Sequence, residues 1–267
     1  MKTLVVYYYD ETSATVTNLA YFLKHGVINN QDYTYYLIIN NECSIDIDET
    51  ENMKLIKRSE NDTDLVSYSW FFSHMTPSFF TDFERFYFIN SICLGPFITP
   101  IIESNWIELF NKRLESCDLI APVVEFPPDN KGYSILGIES QLNMPFLHSY
   151  MFGTNGSSIK LLINIFKDFN SNTTESLINY ERLLTSKYIL NNKKISCLLL
   201  AFKNIDINDK SLWYYKLWNK NEHTCYERTQ SYFGIDLNPL EVVFIKHISR
   251  ADNKALRTLI NNYLIWH

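Results

Sequence analysis

The stretch Leu4-Val-Val-Tyr-Tyr-Tyr9, followed at once by Asp10-Glu-Thr-Ser13, decides the fold of this chain. Six consecutive apolar and β-prone residues predict a strand that is buried on both faces, as in a parallel sheet. The polar residues after this strand are typical of a helix N-cap. Apolar residues then recur at helical spacing as far as Gly26, which supplies a stop signal. These residues therefore predict a strand–loop–helix unit.

The same alternation continues through the first half of the chain. Further strands are predicted at residues 33–40, 53–57, 85–90 and 118–124, and helices at residues 64–73 and 106–114. Strands that alternate with helices indicate an α/β fold with a Rossmann-like, mostly parallel central sheet flanked by helices. Ligands bind such sheets outside the carboxyl ends of the strands, so a site is expected there.

The second half of the chain is less regular. Residues 125–143 carry two prolines and two glycines and predict a long surface loop, which in a compact domain is often functional. The remaining predicted elements are strands at 146–152 and 195–200, helices at 157–168, 174–190 and 253–264, and an apolar run at 241–245. A length of 267 residues fits one large domain, and we treat residues 1–267 as one.

The composition excludes several classes of protein. Hydrophobic residues make up 46% and charged residues 20% of the chain, which indicates a folded globular protein. A net charge of -6 argues against nucleic-acid binding. No apolar run approaches the roughly 20 residues that span a bilayer, and the first strand runs into Asp10 and Glu11 rather than a cleavage site. We expect a cytoplasmic protein with reduced cysteines, and leave peripheral contact with a membrane open.

One candidate site is the end of the predicted strand at residues 85–90. Asn90 and Ser91 are two small polar residues that follow a buried apolar run, and Gly95-Pro96 forms a turn after them. This places both side chains at a carboxyl edge, where a ligand would lie. The alternative is that Asn90 only caps the strand and begins a turn.

Two acidic residues are further candidates. Asp64 begins a predicted helix, and a carboxylate there can accept a hydrogen bond from a ribose hydroxyl; the alternative is a helix N-cap. We place Glu181 near a helix start, where the macrodipole keeps a carboxylate ionised. An ionised carboxylate can act as a general base toward a sugar hydroxyl. The alternative is a surface glutamate that pairs with a neighbouring cation.

The histidines and the known nucleotide motifs give a mostly negative result. His148 lies shortly after a proline, and both a position at the rim of a site and a structural role are open for it. The six histidines show no HxxxH or HExxH spacing, so no zinc site is predicted. The sequence has no GxGxxG, Walker or GxSxG motif, which argues against dinucleotide, P-loop and α/β-hydrolase functions.

Several short blocks, taken in order, resemble GT-A-type glycosyltransferases of polysaccharide gene clusters and large viruses. They extend over nearly the whole chain, and their shared order carries more weight than any one block. The blocks are Val6-Tyr-Tyr-Tyr9, Lys57-Arg-Ser-Glu-Asn61 with Asp64, Phe88-Ile-Asn-Ser91 with Gly95-Pro96-Phe97, His148-Ser-Tyr150, residues 181–195, and residues 238–246.

The resemblance implies transfer of a sugar from a UDP- or GDP-sugar to a hydroxyl of a glycan, in polysaccharide biosynthesis. Residues 1–124 would form the nucleotide-binding half and residues 125–267 the acceptor-side half. Glu181 would be the base of an inverting reaction. The residues implied for the donor are Tyr7, Tyr8, Tyr9 and Asp64 at the nucleotide and Asn90 and Ser91 at the diphosphate or donor sugar; those implied for the acceptor or the rim are His148, Lys246 and His247.

The chain departs from the resemblance where most such enzymes carry a DxD metal motif. Asn90-Ser91 stands there, whereas Mg²⁺ or Mn²⁺ prefers carboxylates. Either a metal binds through other groups, or cations such as Lys246 and His247 and helix N-termini offset the diphosphate charge; we favour the second.

Two other functions stay open. A sugar nucleotidyltransferase usually has a Gly-rich loop after the first strand, which Asp10-Glu-Thr-Ser-Ala14 lacks. The other is an inactive nucleotide- or glycan-binding module.

Overall fold

The computed structural model describes residues 1–60, 62–99, 104–125, 134–135, 138–139, 144–167, 169, 174–211 and 237–246. The strands are β1 Thr3–Asp10, β2 Tyr33–Asn40, β3 Met53–Arg58, β4 Arg85–Asn90, β5 Cys93–Leu94, β6 Leu119–Ala121, β7 Val124–Glu125, β8 Ser134–Ile135, β9 Ile138–Glu139, β10 Phe146–Leu147, β11 Met151–Asn155, β12 Ile195–Cys197 and β13 Ile245–Lys246. The helices are α1 Ser13–His25, α2 Asp64–His74, α3 Pro77–Thr81, α4 Trp106–Leu114, α5 Ile159–Phe166, α6 Thr174–Leu190 and α7 Pro239–Val242, with a 3₁₀ turn at Leu200–Phe202.

A seven-stranded sheet in the order β12-β6-β11-β4-β1-β2-β3 forms the centre of the described chain. Its pairs are parallel, except that β11 runs antiparallel to both β4 and β6. The prediction of a mostly parallel α/β sheet is therefore confirmed. Two-stranded ribbons join β10 to β7 and β13 to β5.

Strand β1 lies between β4 and β2, which explains its continuous apolar sequence. Every residue from Thr3 to Tyr9 is buried. The register sets Tyr8 opposite Asn90 and Asp10 opposite Asn40. The carboxyl ends of three parallel strands therefore meet at one edge of the sheet, with polar residues at each end.

Aromatic rings pack on both faces of the sheet. On one face, Tyr7 stacks on Phe22 of α1 with ring centres 4.6 Å apart, and Tyr87 lies 5.4 Å from Trp106 of α4. On the other face, Phe88 packs at 5.3 Å against a ring of α2. Each fully buried aromatic side chain contributes on the order of 1.5–3 kcal/mol. These layers hold α1, α2 and α4 rigidly against the strands whose ends form the site.

Helix α1 begins and ends where the sequence predicts, but close packing rather than backbone conformation requires the glycine at its end. Thr12 and Thr15 form a capping box, in which each side chain accepts a hydrogen bond from the backbone N–H of the other. Gly26 closes the helix with a φ of -97°, so left-handed backbone does not require glycine there. A Cβ at Gly26 would instead lie 2.4 Å from the ring of Phe22, so close packing requires the glycine.

Three predicted strands differ from the observed ones. The strand predicted at 118–124 is divided into β6 and β7 by Pro122, which has no N–H to donate to a ladder. The strand predicted at 146–152 is divided into β10 and β11, because residues 148–150 turn the chain from β7 toward β4. The strand predicted at 195–200 ends at Cys197, and the short helix α3 was not predicted.

The remaining sequence predictions concern the second half of the chain, the cysteines and the membrane. The helix predicted at 253–264 and most of the loop predicted at 125–143 lie outside the described residues. Cys43, Cys93, Cys117 and Cys197 are free thiols, as expected. Among the described helices, none has both the length and the apolar character that crossing a membrane requires.

Candidate active site

The site is built at the carboxyl edge of β1 and β4. Ser91 follows β4 and is tied to β1, because its N–H donates to the carbonyl of Tyr8 at 2.9 Å and its hydroxyl accepts from the N–H of Asp10 at 3.4 Å. Asn18 of α1 donates to the Ser91 carbonyl at 2.8 Å. Only 1% of Ser91 is exposed. The edge predicted from the sequence is therefore held by direct hydrogen bonds between neighbouring strands.

Asn90 forms the strand-ending turn that is one of the two roles considered for it, and its role toward a ligand stays a prediction. Its Oδ1 accepts from the N–H of Ile92 at 3.0 Å, which is the turn-forming bond typical of asparagine. Its side chain also lies close enough to the carboxyl group of Asp64 to lower the pKa of that group against the effect of burial. Asn90 therefore both ends the strand and connects it to the start of α2.

Asp64 is the first residue of α2, and Thr63 occupies the N-cap position. The alternative that Asp64 is the N-cap is therefore not observed. Burial raises the pKa of Asp64 to about 6, although the Asn90 side chain and the N–H of Leu65 act to lower it. The charge of Glu181 raises the Asp64 pKa further. The two carboxylates therefore influence each other, although 117 positions separate them in the sequence.

Glu181 lies in the middle of α6, which begins at Thr174, so the inference that it sits at a helix start is wrong. The macrodipole acts only within the first turn or so of a helix, and other groups keep this carboxylate ionised. Its Oε1 accepts from the N–H of Ser149 at 2.5 Å and lies 3.6 Å from Nδ1 of His148. Burial acts to raise the pKa of Glu181, but the charge of His148 and the bond from the N–H of Ser149 hold it below its ordinary value.

His148 is a buried partner of this carboxylate. Its Nε2 lies 3.2 Å from Oε2 of Glu125 at the end of β7, and 1% of its side chain is exposed. Burial acts to lower the pKa of His148, but the charge of Glu181 and the contact with Glu125 raise it above its ordinary value. The sequence placed His148 near the site but gave no signal for Glu125, because the two meet only through the pairing of β7 with β10.

The three tyrosines of β1 are buried at this edge. Tyr7 packs inside the core against α1. Tyr8 donates its hydroxyl to the carbonyl of Asp62 at 2.5 Å, and Tyr9 donates to Glu11 at 3.0 Å. Burial raises the pKa of each, so they stay neutral. Tyr8 thereby holds the segment that leads into α2 and Asp64.

The two basic candidates differ in what the structure describes. Lys246 ends β13, where it pairs opposite Cys93 of β5, two residues beyond Ser91. This brings Lys246 to the chain segment that follows the candidate strand end. His247 lies outside the described residues.

A divalent metal does not fit the described side chains at this edge. Asn90 and Ser91 stand where carboxylates would be needed, and the oxygen of each already accepts a backbone N–H. Across the described residues, no three His, Cys, Asp or Glu side chains come together as a metal-binding group. Mg²⁺ and Mn²⁺ prefer carboxylate oxygens, so we assign the metal no step.

A cavity of about 640 Å³ lies at the opposite edge of the sheet. It is bounded by Arg85 at the start of β4, Asn155 at the end of β11 and Ile159 of α5. None of the candidate residues lines it. We place the site by strand direction and chemistry rather than by cavity size, since parallel sheets bind ligands at the carboxyl ends.

Comparisons with known proteins give a distant likeness. No protein-family model matches the chain, and no curated protein matches it. Matching solved structures include 4-diphosphocytidyl-2C-methyl-D-erythritol synthase from Anaerococcus prevotii DSM 20548 (12% identity, 82% of this chain, 94% of that chain, TM-score 0.40). Another is a glycosyltransferase involved in the glycosylation of the major capsid of PBCV-1 (11% identity, 75% of this chain, 84% of that chain, TM-score 0.39). A third is A197 from STIV (10% identity, 73% of this chain, 80% of that chain, TM-score 0.33). At these scores the likeness carries no argument, and the fold rests on the sheet itself.

Proposed function

We propose that this chain is a glycosyltransferase that moves a sugar from a nucleotide-sugar donor to a hydroxyl of a glycan, with inversion. The observation that carries the proposal is the state of Glu181: a carboxylate that is held ionised and remains 18% exposed. It shares the carboxyl edge of the sheet with Asp64 and Asn90, and its charge raises the pKa of Asp64. A carboxylate in this position suits a general base.

Glu181 would act on the acceptor. It takes the proton of the acceptor hydroxyl as that oxygen attacks the anomeric carbon of the donor sugar. The bond between that carbon and the diphosphate oxygen breaks, and the nucleoside diphosphate leaves with the electron pair. Attack from the face opposite the leaving group inverts the anomeric centre. Charge and protons balance because Glu181 ends protonated and the diphosphate gains the negative charge.

The donor would lie across the ends of β1 and β4. Asp64 accepts from a ribose hydroxyl, and Tyr8 holds the segment that leads to Asp64. Tyr7 and Tyr9 are fully buried and support the strand end from within the core, without contact to the nucleotide. Asn90 and Ser91 lie at the diphosphate or donor sugar. Without a fitting metal site, Lys246 and His247 are our candidates to offset the diphosphate charge, together with helix N-termini. A titration in which UDP binds only when Mn²⁺ is present would overturn this part.

The test of the base is Glu181→Gln. Glutamine keeps an oxygen that accepts from Ser149 but cannot take a proton, so we expect transfer to fall at least about 100-fold. Donor affinity, measured by calorimetric titration, should stay the same. The matched control is Glu115→Gln, an exposed position at the opposite edge of the sheet, which should leave both quantities unchanged. Near-normal turnover of the Glu181 variant removes Glu181 from the mechanism.

Two other functions are separated from this one by simple assays. A nucleotidyltransferase needs free backbone donors after the first strand to hold a triphosphate, and here Thr12 and Thr15 occupy donors of the α1 terminus themselves. An inactive binding module would bind a nucleotide sugar without releasing UDP or GDP from it. A thermal-shift screen against nucleotide sugars finds the donor, because a ligand of the native state raises the melting temperature. Slow donor hydrolysis then identifies an enzyme.

A further inference from the structure

Three titratable side chains from three separate elements form a chain of charges beside the proposed base. Glu125 ends β7, His148 follows β10, and Glu181 lies in α6. The imidazole lies between the two carboxylates, with Nε2 at 3.2 Å from Glu125 and Nδ1 at 3.6 Å from Glu181. We call these three residues the charge cluster. Only 1% of the histidine side chain is exposed, against 17% and 18% for the two glutamates.

The geometry of the imidazole assigns it a charge. Both ring nitrogens face carboxylate oxygens, and a carboxylate that is ionised can only accept. Nε2 is within hydrogen-bond distance of Glu125, and Nδ1 faces Glu181 at the longer distance of an ion pair. The charges of two carboxylates on opposite sides of the ring favour a proton on both nitrogens, which makes His148 an imidazolium. A cation buried to this degree is stable only when opposite charges compensate it. Glu125 and Glu181 supply that compensation from opposite sides of the ring.

Other charged groups lie near the cluster. Asp64 on α2 acts on Glu181 as a like charge. Arg182 follows Glu181 on α6 and lies over the Phe146 ring, 5.3 Å from its centre. That ring in turn contacts the imidazole at 5.3 Å. Burial opposes an ionised Glu181, and the charge of the neighbouring imidazolium offsets that effect.

Helix α6 is fixed to the cluster by a matched pair of hydrogen bonds. Thr185 accepts from the N–H of Leu147 at 2.9 Å, and Glu181 accepts from the N–H of Ser149. The two acceptors are one helical turn apart on α6, and the two donors lie where the chain leaves β10 and begins its turn toward β11. Glu181 is therefore held at a defined point relative to His148.

We propose that His148 and Glu125 are positioning residues for Glu181: the buried imidazolium holds Oε1 of the base and keeps it ionised, and Glu125 keeps the imidazole charged. This inference rests on the proposed function, in which Glu181 is the base. Neither residue needs to touch the substrate. Their shared task is to maintain a charged, oriented carboxylate in a place where burial alone would protonate it.

The direct test is the titration of His148 in the full chain labelled with ¹⁵N-histidine. The two ring nitrogens of an imidazolium have a distinctive pair of NMR shifts, and His148→Gln identifies the signals. We expect His148 to be charged at neutral pH in the wild type. In Glu125→Gln its pKa should fall by about one pH unit or more, as expected when an opposite charge at this distance is removed. Glu115→Gln should leave the titration unchanged.

The second test is the pH profile of sugar transfer. Without the imidazolium, the pKa of Glu181 rises, so the acidic limb of the profile should move upward in His148→Gln, which removes the cation at every pH. A shift of one unit slows transfer about tenfold at a pH on that limb, while donor affinity stays the same. A merely structural loss would instead lower the rate equally at every pH.

The results separate this inference from the function on which it rests. A neutral His148 in the wild type, or an unchanged His148 titration in Glu125→Gln, overturns the inference. If the Glu125→Gln variant does not fold, the titration is made with Glu181→Gln, in which the pKa of His148 must also fall. A lowered pKa in a chain that transfers no sugar contradicts the proposed function and leaves the charge cluster standing.

Discussion

Replacing Asp64 by asparagine should make the protein more stable, and the gain should grow with pH. Asp64 is buried, and its pKa is raised from 3.8 to about 6. The folded state therefore binds a proton at Asp64 more tightly than the unfolded state does. The stability that this proton confers is present below about pH 4 and is lost as the pH rises through about 6.

The magnitude follows from the two pKa values. At 1.36 kcal/mol per pKa unit, a rise from 3.8 to about 6 corresponds to about 3 kcal/mol, as an upper value. Asparagine resembles the protonated acid and can still accept from Asn90. Asp64→Asn should therefore match the wild type near pH 4 and exceed its free energy of unfolding by up to about 3 kcal/mol at pH 8.

The assay is urea unfolding of both proteins in steps from about pH 4 to about pH 8. The control is Asp48→Asn, at an exposed position, for which the difference from the wild type should be small at every pH. A difference for Asp64→Asn that does not change with pH, or that shrinks as the pH rises, refutes the reasoning. If a ribose hydroxyl donates to Asp64, nucleotide-sugar binding near pH 6 should also release a proton, which calorimetry in two buffers detects.

Two further predictions concern the packing around the site. Gly26→Ala should lower the free energy of unfolding by about 1–3 kcal/mol through overpacking, because its Cβ would lie 2.4 Å from the Phe22 ring. The control is Gly156→Ala, where the nearest atom to the new Cβ is at 3.3 Å, so chemical denaturation should show a smaller loss. Equal losses in the two variants would contradict the explanation. Tyr8→Phe removes the bond to the Asp62 carbonyl and should cost about 0.5–1.5 kcal/mol. Hydrogen exchange in that variant should speed up in the segment before α2, and unchanged exchange there would show that Tyr8 does not order it.

Local sequence patterns predicted much of the fold, because its central strands obey local rules. Strands β2 and β4 begin and end at the predicted residues, since each is an apolar run closed by an asparagine. The predictions failed where one residue interrupts an apolar run, as Pro122 does between β6 and β7. They also failed where the chain turns inside such a run, as it does after His148.

The site was predictable around Asn90 and Asp64 and only partly so around Glu181. Asn90 and Asp64 are adjacent in space because neighbouring strand and helix ends meet at the edge of any parallel sheet. Glu181 and His148 were identified one at a time, and nothing local indicates that they touch. Glu125 gave no signal, because its role depends on the pairing of two-residue strands and on the docking of α6. Such contacts are set by tertiary packing, which hydrophobic periodicity does not encode.

The reversed direction of β11 has a consequence for how this edge can change. In a wholly parallel sheet, only chain that leaves a strand reaches the carboxyl edge. Because β11 runs against β4, with Met151 opposite Ile89, the chain that enters β11 arrives at that edge as well. His148 and Ser149 therefore come from an entering segment, whereas Asn90 and Ser91 come from a leaving one. Insertions or substitutions in the entering segment can therefore move the contacts of Glu181 while Asn90 and Ser91 keep their own connections to β1, so the two sides of the edge are free to diverge separately.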